Sequence, residues 1–365
     1  MVNEHLSALS LTAEASGHGD NISLGVPPAA FVARRVVVDV PATCANLGPG
    51  FDCLALAVHL HNRFEVILHA DLKGASGRPQ LEIRGDTADI QQLRCDQDNL
   101  FLRSFRAVCQ RLDIATPPLS ARLDVRVPPG RGLGSSATAV VGGILAANTL
   151  LGAPLGQHEL LELAITCEPG HHADNVAAAL LGRLTVTGAR DAAGQLVSLA
   201  LPVPPALRAV LFIPNLSMST THSRSLLPAT YSCGDATYNT SRVALLLAAL
   251  QAQRFDLLGT AMEDRFHQPY REQLFPVLGA LIDAGCQAGA HGVCLSGSGS
   301  SVLALVTQGA EAVCAAMEAT ASRVGVAGRG LVLDLAREGA IARVSECEDA
   351  AVAELELEEG GSGGE

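Results

Sequence analysis

Residues 127–152, VPPGRGLGSSATAVVGGILAANTLLG, decide how this chain is read. Apolar residues alternate at Leu123, Val125 and Val127 as in a strand, the run stops at Pro128, and a small-residue helix starts at Ser135. Between them Gly130, Gly132 and Gly134 let the backbone adopt positive φ and approach a ligand closely. The first turn of the helix presents unpaired N–H groups and the positive end of the helix dipole. A phosphate is the natural guest of such a junction.

Composition limits the kinds of phosphate chemistry on offer. The only lysine in 365 residues is Lys73, so no segment has the form G-x-x-x-x-G-K-[ST], and a Walker P-loop is excluded. The formal net charge is −12, but eight acidic and no basic residues fall in 345–365, which leaves a nearly neutral body. A broad basic surface for nucleic acid is absent, whereas a cationic pocket for a small anion is compatible with this balance. The chain is 48% hydrophobic without an uninterrupted apolar run of membrane-spanning length, and residues 1–34 lack the apolar core of a secretory signal. Ten cysteines without C-x-x-C spacing suit reduced thiols, so a cytoplasmic protein with no membrane partner is expected.

Along the chain, residues 1–34 read as a mobile extension and 346–365 as an acidic, glycine-rich tail. Strands are expected at 36–40, ended by Pro41, then at 63–69 and 81–84, and a helix at 99–112. After the glycine loop come helices at 158–167 and 175–181 and a strand at 184–187. Pro202, Pro204 and Pro205 mark a boundary between domains at 35–201 and 206–345. The second domain opens with a strand at 208–213 and a polar loop, NLSMSTTHSR. A long helix at 239–253, one at 276–289, strands around LSGSGSSV, a helix at 311–324 and strands near 331–335 and 342–344 complete it.

Three glycine-bearing segments stand at strand ends: PATCANLGPGFD, PPGRGLGSSATA and LSGSGSSV. Together they resemble the three motifs of the GHMP small-molecule kinases over about residues 36–345. The first is similar to that of the homoserine kinases within that family. The resemblance implies an α+β fold with a ribosomal-protein-S5-like N-terminal domain and a ferredoxin-like C-terminal domain, commonly in a homodimer. It implies ATP and Mg2+ as cofactors, and transfer of the γ-phosphate to the hydroxyl of L-homoserine on the route to threonine. Another small alcohol of the mevalonate, sugar or isoprenoid type, or nucleotide binding without turnover, remain the alternatives.

Carried over position by position, the family's ATP cradle falls on Pro128, Gly130, Arg131, Gly132, Leu133, Gly134, Ser135 and Ser136, where backbone amides replace the missing lysine. The family's metal ligands match Ser136 and Glu168, although EPGHHADN is two residues longer here than the usual EGHPDN. The acceptor side matches Asn46, Asp52, His172, Thr220, Arg224 and Arg271. Chemistry gives these types a reason, because the ammonium of an amino acid pairs with a carboxylate such as Asp52 and its carboxylate with an arginine fork. The resemblance implies Asp174, Asn175 and Arg224 as the catalytic group, with Asp174 and Asn175 orienting the hydroxyl, base catalysis by Asp174 as the minority alternative, and His171 outside the pocket. Cys44 stands where relatives commonly carry serine or threonine. If it lines the pocket, alkylation there slows the enzyme.

Overall fold

The computed structural model describes residues 34–69, 79–85, 90–91 and 93–346. The segments expected to be a mobile extension and a tail lie outside the described residues except for Arg34 and Glu346, which belong to strands, and so does most of the connector at 71–79. In chain order, the first half contains β1 (Arg34–Ala45), β2 (Leu54–Leu68), β3 (Gln80–Arg84), α1 (Leu100–Arg111) and β4 (Leu119–Asp124). It continues with α2 (Ser135–Leu150), α3 (Gln157–Cys167), α4 (Ala173–Leu181), β5 (Leu184–Arg190) and β6 (Leu196–Leu201). The second half begins with β7 (Arg208–Pro214), α5 (Thr220–Ser225), α6 (Cys233–Gln251), α7 (Leu258–Ala261) and α8 (Gln268–Arg271). It ends with α9 (Leu278–Gln287), β8 (Gly292–Leu295), β9 (Val302–Val306), α10 (Ala310–Arg323), β10 (Gly328–Asp334) and β11 (Ile341–Glu346).

The first sheet runs β11-β1-β2-β4-β3, with β5 and β6 attached through β2. It is antiparallel except where β3 lies parallel to β4. Inward residues of alternate strand positions, such as Val36, Val38, Val40, Phe64 and Val66, pack with Phe101, Phe105, Val140 and Ile144 of α1 and α2 in one core. The second sheet runs β10-β7-β9-β8, all antiparallel. Strand, helices, two strands, helix and strand with that spatial order make the ferredoxin-like split βαβ. Its α9 and α10 cover one face around Phe212, Leu281, Leu295, Val313 and Met317.

The halves share a third core. Ala42, Cys44, Leu54, Leu56 and Val58 of β1 and β2 pack with Leu207, Ala209, Leu211, Ile213, Leu246 and Leu258. Burial of these apolar side chains fixes the two sheets against each other and so fixes the cleft between them.

Several local expectations change. Pro41 does not end β1; the pairing with β2 slips between Pro41 and Ala42, and the strand continues to Ala45. A bulge accommodates a residue that lacks an N–H, so the proline bends the strand rather than stopping it. β4 closes at Asp124, before the alternation that suggested a strand through Val127. Part of the polar loop is helical, with Ser219 Oγ accepting from His222 N (3.3 Å) at the start of α5. α6 begins at Cys233, capped by Ser232, whose hydroxyl accepts from Asp235 N (3.0 Å). Finally, the end of the range assigned to a second domain, β11, returns to the first sheet and pairs antiparallel with β1.

Candidate active site

The site is built where the three glycine-bearing segments meet. Thr43 N donates to Leu133 O (3.1 Å), Ser301 N to Arg131 O (3.0 Å) and Gly297 N to Ala45 O (3.0 Å). Ser296 Oγ donates to Gly132 O (2.6 Å), closing the ring of contacts. Two glycines are needed for this approach. Gly132 (φ 72°) and Gly134 (φ 68°) are left-handed. A Cβ at Gly132 would stand 2.1 Å from Ser296 O, and one at Gly134 would stand 1.9 Å from Thr43 Oγ1. Gly134 then opens α2, whose first N–H groups have no intrahelical partner and face the cleft.

A cavity of about 980 Å³ lies over this helix start. It is lined by Gly130, Gly132, Leu133, Gly134, Ser135, Ser136 and Glu168 on the phosphate-loop side. Asn46, Asp52, His172, Asp174 and Asn175 join them from the same half, and Thr220, Arg224 and Arg271 from the other. Pro128 and Arg131, expected in the ATP cradle, do not line it. Arg131 is buried, and its guanidinium donates from Nε to Pro214 O (2.9 Å) and from Nη1 to Pro129 O (3.2 Å). Its side chain anchors the loop to β7 and leaves the cradle to backbone amides. His171 stays outside, with Nδ1 3.1 Å from Ile165 O.

Ser136 Oγ donates to Glu168 Oε1 (2.5 Å). The second oxygen of that carboxylate is buried without any hydrogen-bond partner. Burial, and secondarily the nearby Asp174, push the Glu168 carboxyl up to about 7 against the pull of the serine bond. A half-buried hydroxyl and a buried carboxylate with an open oxygen lone pair, beside a phosphate cradle, are the hard-oxygen donors that suit Mg2+. Asp174, at the first turn of α4, accepts from Asn175 N (2.7 Å) and Asn175 Nδ2 (3.1 Å) through the same oxygen. Burial pushes its carboxyl up to about 6.

The opposite wall is cationic. Arg224 Nη2 donates to Asp52 Oδ1 (2.6 Å) and lies 3.4 Å from His172 Nδ1. Burial and Arg224 together hold the His172 imidazolium below its ordinary range. Arg271 is 2% exposed; its Nη1 donates to Gly297 O (2.8 Å) and lies 3.1 Å from His267 Nδ1. Burial, reinforced by Arg224, pulls its guanidinium down to about 10. Phe51 stands between the two, its ring 4.9 Å from the Arg224 guanidinium carbon and 5.4 Å from that of Arg271. The Nε atoms of both arginines are buried and unpartnered.

Asn46 is largely committed to the scaffold. Its Nδ2 donates to Gly297 O (3.1 Å) and its Oδ1 accepts from Asp52 N (3.2 Å), which holds the loop and aims Asp52 at Arg224. Cys44 is not a pocket residue. It is fully buried in the shared core, and burial pushes its thiol up to about 12. Residues missed from the sequence include Thr43, Phe51 and Ser298, all inside the quoted motifs, and Asn62, Arg94 and Asn99, which also line the cavity. Asn62 offers no motif; its Oδ1 accepts from both Arg126 N and Val127 N (2.8 Å each).

Two stacked α+β halves with a lysine-free glycine loop opening a helix between them define a GHMP kinase. Residues 99–183 match the family model for the GHMP kinases N terminal domain, and 246–323 that for the GHMP kinases C terminal. A homoserine kinase of Synechococcus sp. (strain CC9605) is 41% identical over 309 residues, 84% of this chain and 96% of that protein. One of Trichormus variabilis is 39% identical, covering 83% and 98%. The crystal structure of homoserine kinase from Cytophaga hutchinsonii superposes with a TM-score of 0.74 at 30% identity, covering 85% of this chain and 97% of that one. The chain belongs to the homoserine kinase family.

Proposed function

We propose that this protein transfers the γ-phosphate of ATP to the side-chain hydroxyl of L-homoserine, giving O-phospho-L-homoserine and ADP for threonine biosynthesis. The observation that carries the acceptor is one wall equipped for both charges of an amino acid. Asp52 supplies a carboxylate for the ammonium, and the partnerless Nε–H groups of Arg224 and Arg271 supply donors for the α-carboxylate. His172 and Thr220 border that end of the cavity. At the other end, the amides of residues 130–136 receive the phosphates. Ser136 and Glu168 would hold Mg2+, which when bound spreads the charge developing on the β- and γ-phosphates.

Asp174 and Asn175 hold the hydroxyl in line with the phosphorus. The new P–O bond forms as the bond to the ADP oxygen breaks, and the loose transition state demands little deprotonation beforehand. With its carboxyl near 6, Asp174 is largely ionised at neutral pH and can take the hydroxyl proton as transfer completes.

In the cell we place the protein in the cytoplasm as a homodimer without nucleic-acid or membrane partners. Nine cysteines are free among the described residues, which supports a reducing compartment, and no helix there is long and apolar enough to cross a membrane. Family kinship supports the dimer, which light scattering on the purified protein tests. For the activity, ADP release from MgATP is measured with homoserine, mevalonate, galactose and threonine in parallel. Release with homoserine is expected; release with mevalonate alone overturns the proposal.

A further inference from the structure

We infer that Thr43 is a positioning residue that couples the phosphate loop to the acceptor-orienting pair Asp174 and Asn175. Thr43 is fully buried and does not line the cavity, so it acts only through its neighbours. Its Oγ1 donates to Asn175 Oδ1 (2.7 Å). Because the amide oxygen is engaged there, the amide nitrogen is turned towards Asp174 and donates to its Oδ1 (3.1 Å). A flipped amide would present an oxygen to that carboxylate instead, which electrostatics opposes. Thr43 thereby sets the rotamer of Asn175, and Asn175 sets the orientation of Asp174.

The same residue grips the nucleotide side. Its backbone N–H donates to Leu133 O (3.1 Å). A Cβ on Gly134 would collide with Thr43 Oγ1 at 1.9 Å and crowd Asn175 Oδ1 at 3.2 Å, so the hydroxyl–amide pair lies directly against the residue that opens α2. Two hydrogen bonds of Thr43 join β1 to the phosphate loop and to α4, the link to α4 being the hydroxyl–amide bond. Its loss should misplace the acceptor hydroxyl relative to the phosphates while leaving each substrate's own contacts in place.

This inference rests on the phosphotransfer reading above. Thr43→Val keeps the side-chain shape and removes the hydroxyl, leaving the half-buried Asn175 Oδ1 without its Thr43 donor and its amide free to turn. Steady-state kinetics should show kcat reduced by roughly 10- to 100-fold, with KM for MgATP and for homoserine each within about threefold of the parent. Thr43→Ser, which restores the donor, should recover kcat to within about threefold. If the valine variant fails to fold, Thr43→Ala takes its place beside Thr43→Ser. Undiminished kcat in the variant lacking the hydroxyl, equal impairment of the serine variant, or a loss carried by KM for homoserine each overturn the inference. A parent protein that releases no ADP with homoserine rejects the phosphotransfer reading instead, because that outcome does not depend on any substitution.

Discussion

Glu168→Gln should stabilise the nucleotide-free protein at alkaline pH, and the size of the effect follows from the burial of this carboxyl. Glu168 is 7% exposed, and burial raises it from the ordinary glutamate value of 4.5 to about 7. A folded-state value above the unfolded one means that the folded protein holds the proton more tightly. The neutral form is compatible with burial, so its contribution is intact below pH 4.5 and is lost as pH rises through 7. At 1.36 kcal/mol per pH unit, ionising Glu168 in the folded state costs about 3 kcal/mol at pH 8, while at pH 5 the cost is only about 1 kcal/mol. Glutamine keeps an oxygen to accept from Ser136 Oγ and never ionises. Urea unfolding of both proteins without nucleotide should therefore show the variant more stable by roughly 3 kcal/mol at pH 8, with the gap shrinking by about 2 kcal/mol at pH 5. Asp174 has the same sign of shift and is present in both proteins; its charge is one of the influences that raise Glu168, so the glutamine also relieves that repulsion. MgATP should narrow or reverse the gap, since only the carboxylate gains from the metal. A gap that stays constant from pH 5 to pH 8 refutes the electrostatic reasoning.

Arg224→Lys keeps a positive charge but loses the planar fork facing Asp52, so KM for homoserine should rise by roughly 10- to 100-fold while KM for MgATP changes little. An equal rise in both would move Arg224 out of the acceptor wall. Gly132→Ala forces a Cβ to 2.1 Å from Ser296 O at a left-handed φ and should cost more than about 1 kcal/mol of stability, with weakened nucleotide binding, read by thermal melts with and without MgATP. For the thiols, iodoacetamide followed by peptide mass mapping should label the exposed Cys95, Cys233 and Cys286 in the native protein and Cys44 only after unfolding, with native activity retained. Labelling of native Cys44 would contradict its place in the shared core.

The glycine segments were legible because a left-handed turn beside a close backbone contact admits little else, and all three were found to touch. The helices with a clear apolar stripe, such as α1 with its Asn99 cap, were legible for a similarly local reason. Side-chain direction within those segments was not. On β1 successive residues point to opposite sides, so a one-residue phase decides that Thr43 meets Asn175 while Cys44 enters the core. Nothing in PATCAN fixes that phase before the pairing with β2 is known. Arg131 was placed in the cradle by the match of the whole loop, which says nothing of its side chain; that side chain's destination, Pro214 O, lies 83 residues away and belongs to a different sheet. The polar beginnings of α5 and α6 were hidden because neither carries an apolar period and both are fixed by serine caps.

The return of β11 to the first sheet sets an order on assembly. On the ribosome, residues 341–346 emerge after the other strands of both sheets, and until then β1 has an uncovered edge. When they arrive, Arg343 adds to Arg63 on Asp39 (2.9 and 2.7 Å), pinning the last strand to the first. The nucleotide half is therefore finished only once the acceptor half has been made. A nascent chain that already displays the glycine loop still lacks both Arg224 with its neighbours and its own edge strand, so the capacity to hold ATP in a closed sheet and the capacity to spend it on an acceptor mature together.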